Sequence, residues 1–329
     1  MPDPASEAKR INVPSYSDIL RRIKSRYPHN VNTYERERRS LDLVKDVIIG
    51  KTEPILQLRS LLRSLHPFYR ELVEIDFDLN QVERDLECIM KSRAIAQRLW
   101  ESYRYAMLAA ESEAEARRIG REARGRMLSQ LRRCSSGLAR LKELVKFLSG
   151  LPGIDVGKPI VVIAGPPNAG KSTFLSSVSR AKPEVAPYPF TTKEIIVGHA
   201  NVDDKEVQVV DTPGLLDRDP SEMNQVERRA VAALRELPCS VIFLMDPTDD
   251  SVMPLESQVS LLRRVMDILA GRRLIVAVNK VDVADPSRVE KFLEASKQVK
   301  ADGYIRLVAK DRESAIGALR LALANKGLT

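Results

Sequence analysis

The sequence has no apolar run long enough to cross a membrane. Within its 329 residues, no uninterrupted apolar segment approaches the roughly 18 residues that a transmembrane helix needs. The first 30 residues carry Asp3, Glu7, Arg21 and Arg22 and no apolar stretch, so we expect no secretory signal peptide. The pattern predicts a cytoplasmic protein that does not bind membranes.

Cysteine is also scarce. The three cysteines, Cys88, Cys134 and Cys239, lie far apart, and no two of them have the spacing of metal ligands. Disulfide scaffolds and zinc ribbons are therefore excluded as protein classes. We expect three reduced cysteines that act as small buried side chains in a reducing compartment.

Almost all of the excess positive charge lies in the first half of the chain. Hydrophobic residues make up 43% and charged residues 30%, a globular composition, and the formal net charge is +8. Residues 1–157 contain 29 basic and 22 acidic side chains, whereas residues 158–329 contain 24 and 23. This asymmetry favours a polyanionic or acidic partner for the first half, or else a solvated helical surface.

Apolar residues in the first half recur at the spacing of an α-helix. One apolar stripe covers 72–89 and a second covers 119–148, both in steps of three or four residues. Long amphipathic helices joined by short links predict a basic antiparallel helical bundle over residues 1–157. Shorter helical patterns lie at 16–26, 33–48 and 54–65. Ser17 and Thr52 are the expected helix caps.

The second half alternates short apolar runs with helical patterns. Such alternation predicts an α/β domain over 158–329, with a mostly parallel sheet flanked by helices. The boundary falls in the segment 150–157, which is rich in helix-ending residues. The predicted strands are 160–164, 207–210, 241–245 and 274–278, and the predicted helices are 174–179, 225–237, 255–269 and 314–323.

A phosphate-binding loop follows the first predicted strand. Gly165-Pro-Pro-Asn-Ala-Gly-Lys-Ser-Thr173 fits the pattern G-x-x-x-x-G-K-[ST] and opens a predicted helix. Glycines let backbone N–H groups turn inward around phosphate oxygens, and the helix N-terminus favours negative charge. Lys171 would reach the β- and γ-phosphates and Ser172 would bind Mg²⁺.

Two more motifs close predicted strands in the order that a guanine nucleotide site requires. Asp211-Thr-Pro-Gly214 supplies a carboxylate that would hold Mg²⁺ through a water, and an N–H at Gly214 for the γ-phosphate. Asn279-Lys-Val-Asp282 supplies a carboxylate that can accept two hydrogen bonds from guanine and none from adenine. Together the three motifs favour GTP over ATP.

This ordered set resembles the small GTPase superfamily, and the resemblance implies further site residues. The segment 189–193 is similar to a first switch, in which Thr192, or alternatively Thr191, would complete the Mg²⁺ shell. Residues 308–310 resemble a degenerate fifth motif, in which the N–H of Ala309 would face the base. The implied catalytic residues are Lys171, Thr192 and Gly214; the implied Mg²⁺ ligands are Ser172, Thr192 and Asp211; the implied nucleotide-binding residues are Pro167, Asn168, Ala169, Gly170, Lys171, Ser172, Thr173, Asn279, Lys280, Asp282, Ala309 and Lys310.

The residue after the second motif is Leu215, where many GTPases place a glutamine that orients the attacking water. Because leucine cannot hydrogen-bond water, we expect slow intrinsic hydrolysis that needs an activating partner or a monovalent cation. His199 and Asp217 are the nearby candidates for a replacement. Asn168 would hold K⁺ beside the phosphates, as in related GTPases, or would only shape the loop.

The whole chain resembles the Nog subfamily of Obg-related GTPases, the nucleolar GTP-binding proteins and their archaeal counterparts, over residues 60–329. Because the chain ends at Thr329, after the last predicted helix, we expect the short archaeal form, monomeric when free. The resemblance implies a GTP-hydrolysing switch in assembly of the large ribosomal subunit. It rests on the ordered motifs at 66–69, 125–127, 151–155, 187–193, 211–218 and 222–224.

The same resemblance implies that the basic bundle docks on ribosomal RNA. From Ala116 to Lys146 there are ten basic and two acidic residues, a surface suited to phosphate contacts. Alternatively, some of these arginines pair with the acidic run at 71–87 inside the bundle. The candidate RNA-binding residues are Arg117, Arg121, Arg124, Arg132 and Arg133.

Two other functions remain open at this point. One is a GTP-dependent binding module with negligible hydrolysis, which Leu215 favours. The other is an Obg-like switch that acts on a different target, against which the motifs of the N-terminal half argue.

Overall fold

The computed structural model describes residues 3–217 and 223–324. Two residues of the family motifs, Arg218 and Glu222, lie outside these ranges. The chain divides into a helical unit, Pro4–Leu65 with Asp76–Ser149, and an α/β unit that holds His66–Ile75 and the chain from Gly150 on. The predicted division after residue 157 is thus corrected, because 66–75 and 150–157 pack with the second half.

The helical unit confirms the predicted all-helical N-terminal region. Its three longest helices pack against one another around fully buried side chains that include Val44, Leu86 and Met127. In the described parts of the chain, no helix is long and apolar enough to cross a membrane. The helices are α1 (Pro4–Ala8), α2 (Tyr16–Ser25), α3 (Thr33–Thr52), α4 (Pro54–Ser64), α6 (Leu79–Leu108), α7 (Glu113–Arg133) and α8 (Ser135–Ser149), while α5 (Pro67–Glu74) belongs to the α/β unit.

Each predicted apolar stripe belongs to two helices. The first is broken after α5, because Asp78 caps α6 by accepting a hydrogen bond from the Asn80 N–H. The second is broken at Cys134, which lies between α7 and α8. The stripes keep their helical period across the breaks, so periodicity alone does not reveal where one helix ends.

The two predicted caps are wrong. Ser15, not Ser17, caps α2 through a capping box with Asp18. The hydroxyl of Thr52 donates to the carbonyl of Ile48 within α3, 2.6 Å away, and so back-bonds to its own helix.

The expectation of three reduced cysteines is also wrong. Cys88 of α6 and Cys134 form a disulfide, with their Cα atoms 5.8 Å apart. Only Cys239 is a free, buried thiol. The disulfide closes a long loop within the helical unit, which restricts its unfolded chain.

A buried ion pair joins α3 and α7. The Arg124 guanidinium donates to Glu37 Oε2 at 2.5 Å and also to the Ser40 hydroxyl. The Glu37 side chain is only 6% exposed and that of Arg124 only 18%. Gly120 makes room for this pair, because a β-carbon there would lie 2.3 Å from Glu37 Oε2.

The α/β unit is a seven-stranded, mostly parallel sheet flanked by helices, as predicted. The strand order is β2-β3-β4-β1-β5-β6-β7, and only the β2–β3 and β3–β4 pairs are antiparallel. The elements are β1 (Ile160–Ala164), α9 (Lys171–Val178), β2 (Glu184–Pro187), β3 (Glu194–Val202), β4 (Lys205–Asp211), α10 (Gln225–Ala233), β5 (Cys239–Met245), α11 (Leu255–Ile268), β6 (Arg273–Val278), α12 (Pro286–Ser296), β7 (Gly303–Arg306) and α13 (Arg312–Leu323).

Helix α5 is built into the α/β unit and packs against α10. Its side chains Phe68, Leu72 and Val73 are fully buried. The Tyr69 hydroxyl lies 2.9 Å from the Pro152 carbonyl and 2.7 Å from the Ile154 carbonyl. This segment is therefore part of the core of the second unit, although it precedes that unit by some 75 residues in the chain.

We expect Arg124→Ala to destabilise the helical unit by roughly 3 kcal/mol, because the buried Glu37 carboxylate would keep only Arg36, 3.7 Å away, as a counter-charge. Thermal or urea unfolding measures this change. The matched control is Arg121→Ala on the exposed face of the same helix, which should stay within about 0.5 kcal/mol of the unsubstituted chain. Equal stabilities of the two variants would contradict the importance of the buried pair.

Candidate functional site

The loop between β1 and α9 adopts a conformation that few residue types tolerate. Gly165, Asn168 and Gly170 all have positive φ, at 145°, 62° and 97°. A β-carbon at Gly170 would lie 2.4 Å from Asn279 Nδ2, and one at Gly165 would lie 2.4 Å from the Leu244 carbonyl oxygen. The two glycines of the motif are thus required by backbone geometry and by close approach.

Lys171 begins α9 and points back into the loop. Its Nζ donates to the carbonyls of Gly165 and Pro166 at 2.7 and 2.8 Å and lies 3.4 Å from Asp217 Oδ2. The Asp217 side chain is only 11% exposed, and its Oδ1 has no hydrogen-bond partner within the described chain. The loop therefore holds an ammonium group beside a buried carboxylate.

Of the two candidates for the missing glutamine, only Asp217 reaches the loop. His199 lies within β3 opposite Gln208, and its ring nitrogen faces the Glu206 carboxylate at 3.2 Å. Asp211, at the end of β4, pairs with Ile196, three residues earlier in β3. His199 is thus directed away from the ends of the strands.

A second anionic group stands at the carboxyl end of β4. Asp211 is fully buried, its Oδ2 accepts a hydrogen bond from the Ser172 hydroxyl at 3.2 Å, and its Oδ1 has no partner in the described chain. Burial raises the pKa of the Asp211 carboxyl, and the nearby Lys171 ammonium opposes that shift. A buried carboxylate oxygen with a free lone pair next to a serine hydroxyl is a suitable pair of ligands for a divalent cation.

The segment with the two threonines is the turn between β2 and β3. The Thr191 hydroxyl donates to the Tyr188 carbonyl at 3.0 Å and accepts from the Lys193 N–H at 3.1 Å, so it stabilises the turn itself. Thr192 is exposed and makes no hydrogen bond to another described residue. Phe190 in the same turn has φ 63°.

The residues after Asp211 turn sharply. Gly214 has φ 71°, and the Leu215 N–H donates to the Thr212 carbonyl at 3.1 Å. The Leu215 side chain is only 1% exposed and packs into the core. It cannot present a polar group to a substrate.

Asn279 joins three loops through one amide. Its Nδ2 donates to the Ala169 carbonyl at 2.7 Å, and its Oδ1 accepts from the Ala309 N–H at 2.8 Å. The N–H of Ala309 donates to Asn279 in this structure, and the expectation that it faces a base stays a prediction. The hydrogen bond between Ala309 and Asn279 links the two loops that carry these residues.

Two ion pairs flank a cavity next to Asn279. Lys280, with φ 58°, donates to Asp246 Oδ2 at 2.6 Å, and Asp246 is fully buried. The Lys310 ammonium pairs with the Asp282 carboxylate and holds the pKa of that carboxyl below its usual range. The cavity, of about 150 Å³, is lined by Gly170, Thr173, Asn279, Lys280, Asp282, Val283, Val308, Ala309 and Lys310.

Asp246 is a site residue that sequence reasoning missed. Its Oδ1 accepts hydrogen bonds from the N–H and hydroxyl of Thr248, and its backbone is held on both sides by the Gln258 amide. An aspartate at the end of the predicted strand 241–245 was the available signal, because polar residues collect at the carboxyl ends of parallel strands.

Comparison with known families accounts for most of the chain. Residues 10–155 match the family "NOG1 N-terminal helical domain", and residues 160–280 match the family "50S ribosome-binding GTPase". The chain belongs to the Nog family of Obg-related P-loop GTPases.

Named relatives of this Nog chain come from eukaryotes and archaea. Nucleolar GTP-binding protein 1 of Saccharomyces cerevisiae is 30% identical over 76% of this chain, and that of Drosophila melanogaster is 34% identical over 68%. The matched segment spans 39% of the yeast relative and 34% of the fly relative, so the chain covers well under half the length of these proteins. An uncharacterized protein of Methanocaldococcus jannaschii is 33% identical over 74% of this chain and 66% of its own length.

The five candidate RNA-binding arginines of the Nog helical domain divide into two groups. Arg124 is bound inside the bundle by Glu37 and Ser40, which removes it from the candidate RNA-binding surface. The remaining four are exposed, and of these only Arg117 has an ion-pair partner in the described chain, Glu113 at 3.6 Å. The exposed candidates are Arg117, Arg121, Arg132 and Arg133.

We expect Asp246→Asn to lower the unfolding free energy of this Nog chain by about 2 kcal/mol, because the neutral amide leaves the Lys280 ammonium without its counter-charge. Calorimetric melting measures the change. Asp249→Asn on the same loop is the control, since the Asp249 side chain is 84% exposed and its loss should change stability little. A melting temperature of Asp246→Asn equal to that of the control would refute the role of the Asp246–Lys280 pair.

Proposed function

We propose that this chain binds and hydrolyses GTP and acts as a switch in assembly of the large ribosomal subunit. One observation carries the nucleotide part: the Asn279 amide gathers the phosphate loop, the Asn279–Asp282 motif and the 308–310 segment around one cavity. The Asp211–Gly214 motif begins at the end of β4, the strand that pairs with β1 ahead of the phosphate loop. The match to a ribosome-binding GTPase family supports the biological context.

In this proposal the phosphate loop holds the nucleotide through its backbone and Lys171. The N–H groups of 168–173 would surround phosphate oxygens, and Lys171 would exchange its bond to Asp217 for the β- and γ-phosphates. Asp217 would thus compete with the nucleotide for Lys171. Gly214 would offer its N–H to the γ-phosphate, which couples the Asp211–Gly214 turn to nucleotide state.

The Mg²⁺ ion of such a site fits the residues present. The unpartnered Oδ1 of Asp211 and the Ser172 hydroxyl supply the oxygen ligands, with Asp211 acting through a water, and Thr192 would complete the shell. Thr192 is preferred over Thr191 because the Thr191 hydroxyl is already used within its turn. When bound, the ion would neutralise charge on the phosphates.

Guanine specificity is assigned to Asp282. Its carboxylate would leave Lys310 and accept hydrogen bonds from the N1–H and the 2-amino group of the base, while Lys280, anchored by Asp246, would form a wall of the pocket. Asn279 would act indirectly, because both ends of its amide are engaged by the protein.

We expect Asp282→Asn to weaken GTP binding roughly 100-fold or more and to improve binding of xanthosine triphosphate. Asparagine can donate to the carbonyl that xanthine carries in place of the 2-amino group, whereas it opposes that amino group with a donor. Competition against a fluorescent nucleotide measures both affinities.

The exposed Asp250→Asn serves as control and should leave both affinities unchanged. If Asp282→Asn binds GTP as tightly as the unsubstituted chain, the assignment of this cavity to guanine is wrong.

A slow intrinsic rate is part of the proposal, because the buried Leu215 cannot orient water. Asn168, held at positive φ in the loop, would bind K⁺ if a cation supplies the missing charge. The same observation favours a second candidate function, a GTP-dependent binding module with negligible hydrolysis.

Turnover measured with and without large ribosomal subunits, in K⁺ and in Na⁺ buffer, separates these functions. Stimulation by the particle supports the assembly switch with an activating partner, and stimulation by K⁺ alone supports the cation. The absence of turnover in every arm would leave the binding module.

We propose that the helical unit docks on ribosomal RNA through α7, with the large subunit or its precursors as partner. The exposed arginines and the family match of 10–155 support this. We further propose a cytoplasmic location and a monomer when free. The Cys88–Cys134 disulfide removes the cysteine argument for that location, which now depends on the proposed partner.

Replacing Arg121, Arg132 and Arg133 together by alanine should weaken binding to large-subunit particles about tenfold and reduce its salt dependence by about two to three units of slope. Co-sedimentation at several salt concentrations, with a GTP analogue and with GDP, measures this.

The control removes the same charge from α4 and α6 with Arg63→Ala, Arg84→Ala and Arg98→Ala, three other exposed arginines. Equal losses for both triple variants would mean that net charge, and not the α7 surface, drives binding. Identical binding with GTP analogue and GDP would contradict the switch.

A further inference from the structure

Lys193 is the last residue of the 187–193 motif, and no role has been assigned to its side chain so far. It follows the two threonines and precedes β3. Its backbone is fixed at both ends, because the Lys193 carbonyl accepts from the Tyr188 N–H at 2.9 Å and the Lys193 N–H donates to the Thr191 hydroxyl at 3.1 Å. The backbone of Lys193 is therefore held by the turn between β2 and β3.

This side chain lies over Gly214. A β-carbon added at Gly214 would be 2.8 Å from Lys193 Cε and 3.0 Å from Nζ. The ammonium group thus stands beside the glycine whose N–H is assigned to the γ-phosphate. Any larger residue at 214 would have to displace it.

The Lys193 ammonium has no anionic partner among the described residues. Within residues 3–217 and 223–324, it forms no ion pair and no side-chain hydrogen bond, although the residue is half-buried. Lys171, by comparison, is satisfied by two carbonyls and Asp217. Because a partly buried charge is normally paired, we expect this half-buried cation to bind an anion, and the expected phosphate position lies next to it.

Leu215 cannot stabilise the transition state of hydrolysis, and a cation can supply part of that stabilisation. The Leu215 side chain is buried and offers nothing to the reacting groups. In hydrolysis, a water oxygen bonds to the γ-phosphorus, the bond to the bridging oxygen breaks with its electron pair going to GDP, and the proton of the water ends on inorganic phosphate. A cation at the γ-phosphoryl oxygens stabilises the charge of that transition state without moving a proton.

We propose that Lys193 is a catalytic residue that contacts the γ-phosphoryl group of GTP from the β2–β3 turn and supplies charge stabilisation that the chain lacks at Leu215. This inference depends on the proposed GTPase function and deepens it. It places the positive charge on the switch that carries Thr192, so that closure of this turn on the nucleotide completes the site.

The test compares Lys193→Met, Lys193→Arg and the control Lys205→Met, an exposed lysine at the start of β4. Single-turnover hydrolysis of GTP should fall about 10- to 100-fold in Lys193→Met, recover largely in Lys193→Arg and stay unchanged in the control. Affinity for GDP should stay within about twofold in all three, because GDP lacks the γ-phosphoryl group.

A second measurement does not depend on turnover. Fluorescent GDP with aluminium fluoride imitates the transferring phosphoryl group, and its extra affinity over GDP alone should be lost in Lys193→Met and retained in Lys193→Arg. Melting temperatures of the variants check that the fold persists.

Three outcomes would overturn the inference: unchanged hydrolysis in Lys193→Met, an equal loss of GDP affinity, or a full aluminium fluoride response without the lysine. Failure of the unsubstituted chain to bind GTP or GDP would instead overturn the proposed function. The two failures are therefore distinguishable.

Discussion

The site depends on the side-chain amide of one residue, Asn279. Its nitrogen reaches the phosphate loop at Ala169 and its oxygen reaches the chain at Ala309, so three loops from different strands are fixed to each other by two buried hydrogen bonds. Gly170 must lack a side chain for that contact to form. The cavity beside these loops is lined by residues of all three.

The charged groups of the site are arranged in pairs that a ligand would have to separate. Lys171 faces Asp217, and Lys310 faces Asp282. The Lys171–Asp217 pair compensates two buried charges. Asp246 and Lys280 differ, because the buried carboxylate is held from several directions and acts as a fixed anchor. Lys193 forms no ion pair with a described residue, and one carboxylate oxygen each of Asp211 and Asp217 has no hydrogen-bond partner among the described residues.

The sequence predicted the architecture and the position of the loops, because both are written in local patterns. A phosphate-binding loop requires glycines at positions of positive φ, a lysine at the start of the following helix and an apolar strand before the loop. All three lie within one short stretch of sequence. Long-range pairings were not predictable in this way. Nothing local indicates that Cys88 meets Cys134 or that Asp246 meets Lys280. Arg124 and Arg121 read alike in the sequence, yet one is bound inside the bundle and the other faces solvent, because Glu37 lies on a different helix.

Helix α5 has a consequence for how this chain can be divided. A fragment that begins at residue 158 holds every nucleotide motif but lacks the helix that packs against α10, together with the backbone at 152–154 that bonds to Tyr69. It would expose to water an apolar surface that Phe68, Leu72 and Val73 cover in the intact chain. The smallest autonomous G domain is therefore discontinuous in the sequence, and isolating it requires that 66–75 be reattached by a new connection.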